Sequence, residues 1–449
     1  VAADPGAPAE AGGALARAFG RVVSVKPHEV GGLLASFATV FCMFTAYALM
    51  RPVRETMGIT SGVENLPYLF WATFVGMLLV QPVYGWLTSR YRRTKFLPYV
   101  YLFFCLNLVG FWLWFELQAD HTWIARAYYV WLSVFNLFVV AVFWSLMADV
   151  FSREQAGRMF AFIAAGISTG GLVGPLISGW LAEPIGTINL LLVGAALLAL
   201  SIVFMLRVTA WHRRYGENVA GPGAATGDDR DRPLGGTAWA GFRMVVTSPY
   251  LMLIAAFVFL LTWISTFLYL EQAALVAETF ATRDERTAFF GRIDFWVQAL
   301  SLTLQTLVFS RLFKRFGFTA LLLSMPVLMT AGYAAFALAP TFAVFVGVMM
   351  VRRIGEYGIT RPCRDMLWTI VPREQKYKAK SLVDTFVYRG GDAISASVHK
   401  VLTTVGGLGT SGIAWFGAAT AIAWGLVAFA LARRNAREAE RRNAETVEA

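Results

Sequence analysis

Charge is scarce in this chain: of its 449 residues only 15% are Asp, Glu, Lys or Arg, against roughly a quarter in soluble domains. Cysteine is scarcer still. Cys42, Cys105 and Cys363 lie within or beside apolar stretches and form no Cys-x-x-Cys step, which excludes a disulfide framework and a Cys-x-x-Cys zinc site. The four histidines, at 28, 121, 212 and 399, are too dispersed for a metal cluster. There is no Walker-type phosphate loop, so the sequence gives no basis for an ATP-driven pump. No cofactor is expected. The first residues, rich in Ala, Gly and Pro, lack a continuous apolar core of signal-peptide length, and read as a cytosolic tail.

What fills the chain instead is apolar surface. Hydrophobic residues make up 57%, mean hydropathy is +0.57, and there are 36 Phe and 15 Trp. Such a chain has lipid as its main solvent. The net charge of +11 would suggest nucleic acid in a soluble protein, but here the basic residues sit between apolar runs. That is the distribution of the positive-inside rule, so the bilayer is the expected partner and nucleic acid is not.

A span needs roughly 20 mostly apolar residues. Twelve candidates begin near Gly32, Tyr68, Phe96, Ile124, Arg158, Ile188, Leu251, Ala288, Phe318, Thr341, Ser381 and Ser411. Backbone groups must be satisfied within the segment in lipid, so these predict helices. The links after spans two, eight and ten carry Arg90, Arg92, Arg93 and Lys95; Arg311, Lys314 and Arg315; and Arg373, Lys376, Lys378 and Lys380. The opposite links, as around Gly186 and Gly407, are poor in base. Both termini are therefore expected in the cytoplasm. Arginine outnumbers lysine and alanine is abundant, as in a GC-rich bacterial genome, and the bacterial inner membrane is the expected location. The expected divisions are a tail at 1–30, a six-helix half at 31–210, a Gly/Pro/charged linker at 211–245, a second six-helix half at 246–432 and a charged tail at 433–449.

The halves repeat. Arg153-Glu154-Gln155 recurs as Arg373-Glu374-Gln375, and Gly170-Gly171 as Gly390-Gly391, both 220 residues on. Two local patterns, Gly85 to Phe96 (with Arg90, Arg93 and Lys95) and Gly170-Gly171-Leu-Val-Gly174-Pro175-Leu-Ile-Ser-Gly179-Trp, resemble those of the major facilitator superfamily. The first departs at Ser89, where the family has an aspartate. The resemblance implies an all-α fold of about twelve transmembrane helices in two pseudo-symmetric six-helix halves. It also implies a central pathway lined by spans one, four, seven and ten, alternating access around a midplane site, and a monomer.

Charges inside spans are costly, so each is expected to meet a cavity or a partner. Span one places Tyr47, Arg51, Arg54 and Glu55 on one helical face. Asp149 ends span four, where Arg153 and Arg158 suggest a structural latch. Glu271 lies in span seven, and Arg292 and Asp294 in span eight. Span ten carries Arg352, Arg353, Glu356, Tyr357, Arg361, Arg364 and Asp365; at regular helical spacing, Arg353, Tyr357, Arg361 and Arg364 form a stripe. Span eleven adds Asp384, Tyr388, Asp392 and His399. Bases outnumber acids on spans one and ten, and guanidinium forks suit carboxylate or phosphate, so an anionic small-molecule substrate is expected. Glu271, Asp294 and Asp392 are candidate proton acceptors or gating partners, with Glu55, Asp149, Glu356 and Asp384. Alternatively the charges neutralise one another, as Arg51–Glu55 and Arg361–Asp365 would at i, i+4.

A narrower likeness covers most of the chain in short pieces. Leu49-Met-Arg51-Pro-Val-Arg54-Glu55, Trp144-Ser-Leu-Met-Ala-Asp149, Tyr269-Leu-Glu271 and Tyr357-Gly-Ile-Thr-Arg361-Pro-Cys-Arg364-Asp365-Met366 resemble motifs of the ATP/ADP translocases of plastids and intracellular bacteria. The resemblance implies phosphate-binding roles for Arg51, Arg54 and Arg364, and essential-acid roles for Glu271 and Asp149. Arg361 stands where that family is acidic and Asp392 where it has a lysine. The expected function is secondary transport of an anionic, nucleotide-like solute by exchange or proton coupling. The alternatives are proton-coupled movement of a hydrophobic compound or lipid and, from another class, a membrane-embedded receptor or enzyme.

Overall fold

A computed structural model describes residues 25–90, 93–215 and 238–448. Every regular element among them is helical. Twelve helices reach or approach membrane length: α1 (Val30–Thr60), α2 (Leu66–Arg90), α3 (Arg93–Leu117), α4 (Thr122–Val150), α5 (Arg153–Ile185), α6 (Leu190–Tyr215), α7 (Pro249–Thr279), α8 (283–316), α9 (318–338), α10 (342–367), α11 (373–404) and α12 (Thr410–Glu448). Nine stretches of the described residues are long and apolar enough to cross a membrane by composition, with α8 and α9 forming one unbroken stretch. Helices α10 and α11 are not among them, because both carry charges through their length.

Helix ends overrun the apolar stretches that the sequence marks. Helix α11 begins at Arg373, eight residues before Ser381, because Arg373–Leu382 continues the helix outward as a charged turn sequence. The linker expected at 211–245 is narrower: α6 runs to Tyr215, and a short helix, Ala238–Thr247, precedes α7. The charged end after 433 prolongs α12. Gly317, at φ 77°, separates α8 from α9 in a left-handed conformation that a side chain would oppose. Arg92, most of the 1–30 tail and most of the linker lie outside the described residues, as do the side chains of Ser89, Arg93, Lys95, Arg153 and Arg373.

The chain forms two compact units. The first comprises the described residues of Val1–Met57, Gly76–Arg232 and Arg283–Phe295; the second those of Gly58–Val75, Pro233–Thr282 and Trp296–Ala449. Each unit thus includes the opening segment of a helix from the other half of the chain. Core packing in the first unit joins α3 to α4 and α6; in the second, α7 packs on α11 and α12, and α9 on α12. Three π-helical turns interrupt helices of the second unit, at Leu304–Val308 in α8, Glu356–Thr360 in α10 and Val383–Val387 in α11.

Candidate functional site

In the first unit, glycines set where α1 lies. A Cβ on Gly170 or Gly174 of α5 would come within 2.9 Å of Thr45 N or 2.6 Å of Leu49 N, so the helices touch backbone to backbone. That contact holds the next turn of α1, which carries the arginines. Arg54 reaches Glu55 at 2.6 Å and Ser133 Oγ at 3.5 Å, and lies over the Tyr129 ring at 5.0 Å. Arg51 reaches Asp294 at 3.8 Å, and Asp294 is only 6% exposed. Tyr47 packs against Phe44 and Phe135. The i, i+4 pair Arg51–Glu55 does not form: Glu55 takes its sequence neighbour Arg54 instead. Arg292 is well exposed and pairs with Glu183 at 2.9 Å. Gly179 and Gly291 cross without room for a Cβ beside it.

Arg158, at the start of α5, is anchored on an acid outside the expected latch. Arg158 donates two 3.1 Å hydrogen bonds to Glu29, just before α1, and pairs with Glu154 at 3.5 Å. Gln155 also donates to Glu29, at 2.9 Å. Burial opposes ionisation of Glu29, but the hydrogen bonds from Arg158, the Lys26 N–H and Gln155 outweigh it and hold the carboxyl down at about 2. Asp149 is exposed. Glu29 was not marked by any motif; its only signal is an acid one residue before an apolar run.

The second unit gathers its charges along α7, α10 and α11. Glu271 accepts from, or shares a proton with, His399 at 2.9 Å. Thr266 donates to Asp392 at 3.1 Å, and Arg389 faces the same carboxylate at 3.6 Å. Arg352 donates to Ser265 at 2.7 Å and to Glu356 at 2.6 Å, and the Tyr388 hydroxyl lies 3.5 Å from the other Glu356 oxygen. Arg364 stands 3.9 Å from Asp384, and its buried Nε has no hydrogen-bond partner. Asp365 pairs with Lys380 at 2.9 Å rather than with Arg361. The π turn at Glu356–Thr360 inserts a residue into the helical repeat, which breaks the regular stripe: Arg353, Tyr357 and Arg364 are half-buried, and Arg361 is exposed. Arg389, Ser265 and Thr266 carry no motif and emerge only from the packing of α7 on α11.

Glu271, Asp294 and Asp392 are all buried, at 6–7% exposure. Among the described residues there is no cluster suited to a metal ion. The letters Gly166-Ile-Ser168-Thr-Gly170 match a nucleophile-elbow pattern, but α5 is helical throughout and no strand leads into it; its glycines serve the contact with α1.

Twelve helices in two repeated sets, with ionisable groups held inside the spans, define a multi-pass membrane transporter rather than an enzyme. A family model for the Major Facilitator Superfamily matches residues 32–363, and the chain belongs to that superfamily. ADP,ATP carrier protein 1 of Chlamydia muridarum is 21% identical across 87% of this chain and 86% of that protein. ADP,ATP carrier protein 2 of Chlamydia pneumoniae is 26% identical over 34% of each. Among solved structures, a bacterial homologue of the iron transporter ferroportin, in an inward-facing state, aligns with a TM-score of 0.64 at 13% identity, over 90% of this chain and 98% of that one. The nucleoside transporter NupG aligns with a TM-score of 0.60 at 15% identity, over 90% and 98%. These structural likenesses speak for the fold alone.

Proposed function

We propose that this chain is a bacterial inner-membrane secondary transporter of an anionic, phosphorylated and nucleotide-like solute, working by alternating access as a monomer with its basic links in the cytoplasm. The observation that carries the reading is the set of half-buried arginines inside spans: Arg51, Arg54, Arg352, Arg364 and Arg389 are 14–32% exposed. Arginine stays charged at any physiological pH, and a fixed positive charge within a span favours an anion beside it. The near-full-length likeness to ADP,ATP carriers supports phosphate as that anion.

In this mechanism the carboxylates compete with substrate. Asp294 at 3.8 Å from Arg51 and Asp384 at 3.9 Å from Arg364 are loose partners, so a bidentate phosphate contact would replace them at little cost. The tight pairs, Arg54–Glu55 and Arg352–Glu356, both at 2.6 Å, orient their guanidinium groups. Exchange needs no proton, while Glu271 with His399 offers a place for one.

The test is uptake of labelled ATP into proteoliposomes preloaded with unlabelled ATP and ADP. Uptake that depends on internal nucleotide, and that Arg51→Ala and Arg364→Ala abolish in folded protein, is the expected result. Absence of uptake from folded wild-type protein would overturn the nucleotide reading. A thermal-shift series of phosphorylated, carboxylated and hydrophobic solutes then identifies the class.

A further inference from the structure

A groove of about 710 Å³ runs between the start of α1 and the end of α6, wholly within the first unit. On the α1 side Gly31, Ala35 and Ala38 follow helical spacing and leave a channel, flanked by Leu34 and Phe37. Its other wall is aromatic, from Phe204, Trp211 and Tyr215. Besides Ala210, the α6 side holds two charged residues, Arg207 and Arg214. They lie seven residues apart, two turns or roughly 10 Å along α6.

Arg207 is the unusual feature. It sits inside a membrane-length apolar helix, it is exposed, and neither it nor Arg214 forms an ion pair with a described residue. Its contact is with the Phe204 ring, 5.6 Å away. An exposed arginine at that depth is costly unless it snorkels toward the interface or meets an anion. Among the described residues, the acid nearest in sequence to the mouth of the groove, Glu29, is buried and committed to Arg158 and Gln155. Lys26, five residues before Gly31, is exposed and also basic. The Trp211 indole donates to His28 O at 2.7 Å and closes the groove's end against α1.

We infer that this α1–α6 groove binds one anionic phospholipid, its phosphate between Arg207 and Arg214 and an acyl chain along Gly31, Ala35 and Ala38. The lipid belongs to the leaflet on the side of the basic links. Charge complementarity selects the headgroup, and the aromatic and small residues accept the chain; basic pockets between spans on the cytoplasmic side are suited to this task.

The experiment measures phosphatidylglycerol retained by the full-length protein after delipidation, by native mass spectrometry, with phosphatidylcholine as the neutral comparison. The double variant Arg207→Gln/Arg214→Gln is expected to weaken retention roughly tenfold. Ala38→Leu, which fills the channel and keeps the charge, is expected to do the same. Arg437→Gln, an exposed arginine on α12, is expected to leave retention unchanged. Excess soluble glycerol phosphate is expected not to displace the lipid. Equal loss with Arg437→Gln, unchanged retention in the double variant or with Ala38→Leu, equal retention of phosphatidylcholine, or displacement by glycerol phosphate would each overturn the inference. None of these readouts depends on which solute the protein transports.

Discussion

The seam between α1 and α5 and the seam between α7 and α11 occupy equivalent places in the 220-residue repeat, yet they are built from different chemistry. In the first, Gly166, Gly170 and Gly174 bring α5 against the backbone of α1. In the second, Gly391 is close to Thr262, but the following turns are polar: Thr266 with Asp392 and Arg389, then Glu271 with His399. Arg51 of α1 and Glu271 of α7 are themselves repeat mates. A backbone seam tolerates one separation only. A seam of paired polar groups holds as long as the pairs hold, and it changes when a proton or an anion takes a partner away. The π turns follow the same division. They occur in α8, α10 and α11, while the equivalent α2, α4 and α5 carry none. The second unit therefore concentrates both the adjustable contacts and the helix irregularities that often mark functional sites.

The sharpest way to break this comparison is to add a side chain to each seam. In Gly174→Val the new atoms meet Leu49 N and Thr45 O, backbone atoms that cannot rotate aside. A loss of about 3 kcal/mol is expected, read as a fall in thermal midpoint and in the folded fraction in detergent. In Gly391→Val the obstacle is the Thr262 side chain, which can turn at the expense of its bond to Phe259 O. A loss of about 1 kcal/mol is expected there. Equal losses would mean that the two seams are equally rigid.

The ends of α1 and α7 that open each half differ too. Glu29 and Arg158 fasten α1 to α5, whereas the repeat mate of Glu29 is Pro249, which has no acid to offer. The Glu29 carboxyl is held at about 2, below its ordinary 4.5, so its contribution is full above pH 4.5 and is lost as the pH falls toward 2. The expected contribution is on the order of 2 kcal/mol, reduced by the solvent that reaches Arg158. Glu29→Gln should remove the acid-side slope of stability in that window. A slope unchanged in the variant would assign the acid sensitivity to other carboxylates.

Much of this architecture was legible in the sequence, because the length of an apolar run reports directly on bilayer thickness. The glycines of α5 stood out as a packing device for the same reason: their spacing is local. The charge pairs were not legible. Spacing favoured Arg51–Glu55 and Arg361–Asp365, but Glu55 turns to Arg54 and Asp365 to Lys380. Nor does any residue pattern announce a π turn, so a stripe drawn at regular spacing through Arg353 and Arg361 loses phase across Glu356–Thr360. Glu29 and Arg389 matter through residues that lie far away in sequence or on a facing helix, which only tertiary packing supplies.

Within the second seam, a double-mutant cycle on Glu271→Gln and His399→Gln isolates the pair from its surroundings. Both side chains are largely buried and 2.9 Å apart, so a coupling of about 1–2 kcal/mol is expected in unfolding measurements. Additive effects would show that the two groups act independently and would remove the main contrast with the glycine seam.

The smallest expected effect concerns the helix starts, where the repeat reads Ser152-Arg-Glu-Gln155 in α5 and Pro372-Arg-Glu-Gln375 in α11. Ser152 Oγ accepts from the Gln155 N–H at 3.3 Å while the Gln155 side chain accepts from the Ser152 N–H at 3.1 Å, a reciprocal cap. Pro372 has neither a side-chain acceptor nor an N–H, and no side-chain cap forms there. Ser152→Ala is expected to cost about 1 kcal/mol, and it also loosens Gln155, which donates to Glu29. Pro372→Ser restores the sequence of the first half, and its backbone at φ −53° and ψ 145° suits a serine cap. The gain from the new cap is offset by the freedom that serine returns to the unfolded chain, so a net change within about 0.5 kcal/mol is expected. A stabilisation of α11 as large as the loss in α5 would mean that proline was kept there at the expense of stability, and that a looser start to α11 belongs with the polar seam and the π turn that follow it.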